Sequence, residues 1–382
     1  MSKGNQTNKK YNIISIQGKE LPYSSKIDCK EDEKGNYSIF IKETSANMQE
    51  DASDFESIIV WIWSVDRNRI VSLGYKSYMG ENDKNPVNRG KQWNGLELKQ
   101  PSFSGKDNIE YAEPARLHHM RFLYRVMRFR ERYQGKGFIL DKSNKEEIDR
   151  FEKLYKSALK NGELYITNPT EEGGIKGYDK KRDFLKAGIE ITENHLEKWF
   201  ELMSKTNRLP KQMEKVFGNN CLYDQLPCSM FIGEKSSSTR IFNSGYFDLW
   251  GINDKKELCV FELKKEGNEK LGIISELFFY AMLMKDMKLA AKGKYLSIRA
   301  NHRGFKSFIN CETKDVINAY FLVPRLHPSL EEEAVKKAFV DVLNEGDGVK
   351  FGVIFFDQKE IVKNDNFLRE LINERKKLLE TS

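Results

Sequence analysis

Two short runs decide the reading of this chain: Tyr246-Phe247-Asp248-Leu249-Trp250-Gly251 and Val260-Phe261-Glu262-Leu263-Lys264, with Asn253-Asp254-Lys255-Lys256 between them. Both runs are apolar, aromatic and β-branched, and the polar stretch between them is turn chemistry, so the pattern predicts a β-hairpin with strands over Gly245 to Ile252 and Glu257 to Lys264. Side chains two apart on a strand share a face. Glu262 and Lys264 therefore project together, and pairing through the turn brings Asp248 towards Glu262. An Asp in so apolar a strand is costly unless it has a partner. Two carboxylates and a lysine at one sheet end are suited to a hard divalent cation. Mg²⁺ takes oxygen ligands, keeps water and phosphate oxygens in its other positions, and lowers the pKa of bound water. A lysine beside that water stabilises developing negative charge.

Working outward, Gly272 to Lys288 is predicted as a helix, with Glu276 and Tyr280 one turn apart on one face and able to look toward the acids. Thr192 to Lys205 is an amphipathic helix, with Leu196, Trp199, Phe200 and Met203 at helical spacing and Glu193 and Glu197 near its start. Further predicted elements are a short helix over Pro210 to Phe217, strands over Ser229 to Ile232, Ala319 to Val323 and Lys350 to Phe356, a helix over Ser329 to Leu343 and a charged helix over Asn366 to Glu380. Strands alternating with helices argue for an α/β domain with a mixed central sheet flanked by helices.

Asp248, then Glu262-Leu263-Lys264, then Glu276 followed four residues on by Tyr280, resembles the PD-(D/E)XK restriction-endonuclease-like nuclease superfamily. The helix element is similar to that of the RecB-type exonuclease branch, where Gln commonly stands in place of Glu276. Phe247 replaces the proline usually written before the first Asp. The resemblance covers Ile191 to Phe356. It implies a restriction-endonuclease-like fold and a nuclease dependent on Mg²⁺ or Mn²⁺. Asp248 and Glu262 would be the metal ligands, with the Leu263 carbonyl, and Glu193 as an acid on the fold's first helix. Lys264 would position or activate water, and Glu276 and Tyr280 would orient the site or the scissile phosphate. DNA is the expected substrate before RNA, and restriction or phage defence the expected setting. The alternative is a catalytically inactive nucleic-acid-binding protein with the same fold.

The N-terminal half resembles no family. Tyr11 to Gln17, Tyr37 to Lys42, Ser57 to Val65 and Arg69 to Tyr75 read as strands, the last two as a hairpin. Gly80 to Asp107 reads as a long loop, and Lys145 to Lys160 as a helix. Trp61, Trp63 and Tyr75 read as core. Glu113-Pro114 opens a helix to about Tyr133. On it Arg121, Arg125, Arg128 and Arg132 form one basic stripe, beside an apolar stripe of Phe122, Val126, Phe129 and Tyr133. The basic stripe is expected to be exposed and to track a phosphate backbone; the plainer readings are a solvated face, pairing with acids elsewhere in the fold, or a dimer interface. The adjacent His118 and His119 point in different directions and predict no metal site. The domains expected are a disordered tail over 1–10, an α+β accessory domain over 11–170 carrying the basic helix, and the nuclease-like domain over 185–382.

Composition bounds these readings. The 382 residues carry 64 basic and 57 acidic side chains, a net charge of +7. The excess is local: Tyr111 to Leu140 has seven basic against two acidic residues, and Arg240 to Asn310 thirteen against eight. The five cysteines form no CxxC pair or Cys/His cluster, which argues against a disulfide framework or structural zinc and fits a reducing cytoplasm. No apolar run approaches a membrane span, and no secretory leader is expected. With no P-loop, GxSxG or GxGxxG in context, an ATPase, a serine hydrolase and a dinucleotide enzyme are disfavoured. Nucleic acid is the expected partner, with a homodimer left open and no membrane.

Overall fold

The computed structural model describes residues 11–44, 54–77, 109–167, 191–236, 239–242, 245–295, 303–310, 312–364 and 366. The expected N-terminal tail, the loop over Gly80 to Asp107, the stretch following Thr167 and most of the C-terminal helix lie outside the described residues. The protein is a mixed α/β structure. Its larger sheet runs β12-β11-β10-β9-β8-β7. The strands are β7 (Leu164–Thr167), β8 (Leu222–Ile232), β9 (Gly245–Ile252), β10 (Leu258–Leu263), β11 (Ile317–Val323) and β12 (Val349–Phe355). The three strands at the β12 end are parallel and the remaining pairings are antiparallel. A four-stranded sheet is built from β3 (Ile27–Glu31), β4 (Tyr37–Ile41), β5 (Val71–Tyr75) and β6 (Phe138–Leu140), and β1 (Tyr11–Ile16) pairs with β2 (Lys19–Ser24). Among the described residues no helix is long and apolar enough to cross a membrane.

The expected hairpin forms: β9 and β10 pair antiparallel from Leu258–Ile252 to Phe261–Leu249. Each face of the large sheet is covered. Leu249, Phe261 and Leu263 pack with Leu196, Trp199 and Phe200 of α4 (Glu193–Lys205) and Met213 and Phe217 of α5 (Lys211–Phe217). Trp250 and Val260 join the core with Ile274, Leu277 and Phe278 of α6 (Ile273–Leu289). Thr192 starts α4 with a reciprocal capping pair: its hydroxyl accepts from the His195 N–H, and the His195 ring accepts from the Thr192 N–H.

Three expectations for the N-terminal half are overturned. Ser57 to Val65 is not a strand but lies within α1 (Phe55–Val65), whose residues Phe55 through Ser64 are all buried. Apart from Glu56, Ser57 and Ser64 the helix is apolar all round and belongs in a core, and that burial outweighs the β preference of its Ile, Val and Trp residues. There is accordingly no hairpin: β5 pairs parallel with β4, and α1 is the crossover between them. The core also ignores the expected boundary near residue 170. One apolar cluster includes Trp61 and Phe129 from the N-terminal half together with Phe278 and Phe339 from the C-terminal half, and β7 is an edge strand of the large sheet. Trp61, Trp63 and Tyr75 are buried in it, as expected.

The arginines on α2 (Ile109–Tyr133), which precedes α3 (Lys142–Lys160), do not form the expected exposed stripe. Arg121, Arg125, Arg128 and Arg132 are 7%, 5%, 8% and 9% exposed. Arg125 forms a bidentate pair with the wholly buried Glu56, and Arg128 one with Asp286. Arg132 donates to the backbone carbonyls of Leu343 (2.5 Å), Val349 (3.1 Å) and Asp347 (3.2 Å). The helix is packed on both its apolar and its basic face, and the charges of Arg125, Arg128 and Arg132 are met by acids and carbonyls from distant segments. The four arginines are buried and present no phosphate-tracking stripe to solvent.

Candidate active site

The backbone ladder between β9 and β10 stops at Phe261–Leu249, one step before Glu262 and Asp248. There the Leu263 N–H donates to Asp248 Oδ2 at 2.9 Å. A side chain takes over a ladder hydrogen bond where the strands part, and this fixes the Asp248 carboxylate at the sheet end. On the other side, Asp248 falls between the pairs Asp224–Leu249 and Leu226–Phe247, facing Gln225. Gln225 has a φ of 47°, uncommon for a residue with a side chain.

Glu262 and Lys264 share a face, as the strand period requires, and point toward α6. Lys264 Nζ lies 2.6 Å from Glu262 Oε1 and 2.9 Å from Glu276 Oε2. Glu262 is buried, and its second oxygen, Oε2, has no hydrogen-bond partner. Tyr280, one turn beyond Glu276, accepts a hydrogen bond from the Tyr246 N–H at 3.3 Å. From the opposite layer, Glu193 accepts from Asn268 Nδ2 at 2.5 Å and, more distantly, from the Lys265 N–H at 3.4 Å. Asp248, Glu262, Lys264, Glu276 and Tyr280 thus meet at one end of the sheet, with Glu193 approaching from the opposite layer. The arginines at 125, 128 and 132 are engaged elsewhere.

Two further residues named in the sequence join the site in roles the sequence did not give them. Glu197, one turn after Glu193, is the more buried acid and accepts from Gln225 Nε2 at 2.7 Å. The i, i+4 spacing of Glu193 and Glu197 was the available signal. Arg121 lies beside Tyr280 and Glu276, and no local signal separates it from the other arginines on its stripe.

The electrostatics follow from crowding acids out of water. Burial pushes the Asp248 carboxyl up to about 6, against the pull of Lys264 and the Leu263 N–H. Burial and the charge of Asp248 hold Glu262 well above the usual carboxylate range, and the same two causes raise Glu197. Glu276 goes the other way: burial raises it, but Lys264 and hydrogen bonding around the pair outweigh that and keep it low. Lys264 is lowered by burial and raised more by Glu262, Glu276 and Asp248, so it stays an ammonium.

Excess buried acid with an unpartnered carboxylate oxygen fits a hard divalent cation. Among the described residues no group of three or more His, Cys, Asp or Glu side chains is arranged to hold an ion. An ion here would rest on Asp248 and Glu262, and would complete its shell with backbone, water or phosphate oxygens, as Mg²⁺ commonly does. No protein-family model, curated protein or solved structure matches the chain.

Proposed function

We propose that the protein is a divalent-metal-dependent nuclease with a restriction-endonuclease-like arrangement at the end of its large sheet. The observation that carries this reading is the Lys264 ammonium set between Glu262 and Glu276, at 2.6 and 2.9 Å, beside Asp248 in the parted strand pair. Asp248 and Glu262 would hold Mg²⁺ or Mn²⁺, with the Leu263 carbonyl as a further ligand. A bound cation supplies a polarised water and charge neutralisation at the attacked phosphorus. Lys264 offers its protons to the attacking oxygen or to a non-bridging phosphate oxygen. Glu276 keeps that lysine charged and fixed, so that its charge is in place before the pentacovalent phosphorus forms. Glu193 adds negative potential behind Asp248 and favours cation entry, while the buried Glu197 accepts from Gln225 and helps to hold the strand facing Asp248. DNA is the proposed substrate before RNA, and restriction or phage defence the proposed setting, both on the resemblance of the motif.

The test is digestion of plasmid DNA and of structured RNA in Mg²⁺, Mn²⁺ and EDTA, with Glu262→Gln as control. Cleavage in metal, silence in EDTA and silence of the variant support the reading. Equal cleavage by Glu262→Gln overturns the mechanism. Nucleic-acid binding without cleavage in any metal favours a binding protein that kept the fold.

A further inference from the structure

Arg121 comes from α2, in the half of the chain with no recognisable motif, yet it abuts the site. Its guanidinium lies 3.8 Å from the Phe279 ring centroid and 5.8 Å from that of Tyr280. Its Nε has no hydrogen-bond partner. The charged and titratable groups around it are Glu276 and Tyr280 on α6, and His118 and Arg125 on its own helix. A buried cation so placed is held by the faces of the two rings and by Glu276.

Tyr280 in turn meets β9. Its hydroxyl accepts the Tyr246 N–H, two residues before Asp248. Gly245 makes this approach possible: a Cβ there would lie 3.0 Å from Tyr280 Cε1 and 3.4 Å from its Oη. The tyrosine is thus seated between the bare backbone of β9 and the guanidinium of α2. On either side of that contact stand the strand that carries Asp248 and the helix that carries Glu276.

We propose that Arg121, Tyr280 and Gly245 form a positioning clamp, in which Arg121 presses Tyr280 onto the start of β9 and so fixes Asp248 relative to Glu276 and Lys264. Arg121 is a positioning residue acting through Tyr280. The N-terminal half is then a component of the site rather than an appendage. The catalytic consequence rests on the nuclease reading above; the clamp itself does not.

The test uses the full chain with Arg121→Lys, Arg121→Met, Tyr280→Phe, Gly245→Ala and the double change Arg121→Met with Tyr280→Phe. Thermal unfolding is measured in EDTA, and kcat and KM for plasmid cleavage in Mg²⁺. Interacting residues do not give additive losses, so the double variant is expected to melt close to Arg121→Met alone. Additive losses overturn the clamp, whether or not the chain cleaves. Misplacing reacting groups costs rate rather than affinity, so Arg121→Met is expected to lose about ten- to a hundredfold in kcat at unchanged KM. Arg121→Lys is expected to recover most of that, and Gly245→Ala to reproduce the loss with no charge changed. A rise in KM at unchanged kcat overturns the proposal in favour of direct substrate contact. So does full activity in Gly245→Ala, the variant that decides if Arg121→Met does not fold. A parent chain that cleaves nothing refutes the nuclease reading and leaves the melting cycle to decide the clamp.

Discussion

Asp248→Asn is expected to stabilise the metal-free protein while abolishing cleavage. Burial lifts the Asp248 carboxyl from the ordinary 3.8 to about 6. Below 3.8 the group is protonated in both folded and unfolded chains and costs nothing. As pH rises, the unfolded chain ionises first while the folded site keeps its proton, so stability falls until about pH 6 and then stays low. A difference of that size corresponds to about 3 kcal/mol at neutral pH. Asp248 is only partly buried, and solvent at the open end of the sheet reduces the expected effect to about 1–2 kcal/mol. Asparagine keeps an oxygen to accept the Leu263 N–H and removes the charge. Urea unfolding in EDTA, from about pH 4 to about pH 8, is the assay. The advantage of Asp248→Asn should be absent at the acid end and reach its full size above about pH 6. Saturating Mg²⁺ should reverse the order, because binding stabilises the parent by about 2.7 kcal/mol at a hundred times its Kd and the variant has lost a ligand. A variant less stable than the parent throughout, or an advantage that does not vary with pH, would refute the argument that uncompensated buried acid is built into this site.

The remaining expectations follow from the same geometry. Lys264→Met leaves Glu262 and Glu276 without their shared ammonium; cleavage should vanish and unfolding should show a loss of about 3–5 kcal/mol near neutral pH, eased by acid. Glu56→Gln breaks the buried pair with Arg125 and loosens the start of α6, where the Ser275 hydroxyl donates to Glu56 at 2.9 Å. A comparable loss of about 3–5 kcal/mol is expected, and a loss below about 0.5 kcal/mol would contradict the buried pairing. The double change Arg121→Ala with Arg128→Ala should lower the melting temperature sharply and leave the salt dependence of duplex binding as in the parent; a reduced salt slope would restore the exposed-stripe reading.

The hairpin, the hydrogen-bonded turn and the helix that follows were legible from the sequence because each is set by residues only a few positions apart. The period of two put Glu262 and Lys264 on one face, and the turn brought Asp248 beside them. Helical spacing at Leu196, Trp199, Phe200 and Met203 placed α4, and the Glu276–Tyr280 spacing put both on one face of α6. Burial is decided by what packs against a segment from elsewhere, and no local pattern encodes it. Phe55 to Ser64 is equally apolar as strand or helix, and only being enclosed on every side made it α1. The arginine stripe on α2 reads as a surface until its partners are known. Glu56 lies 69 residues from Arg125, Asp286 lies 158 from Arg128, and the Asp347 carbonyl lies 215 from Arg132. The sequence by itself determined which side chains could do chemistry and which neighbours they share. Tertiary structure alone decided that one core joins the two halves and that Arg121 reaches the acids. The physical reason is that the burial of Arg125, Arg128 and Arg132 depends on distant segments that bring them counter-charges or carbonyls.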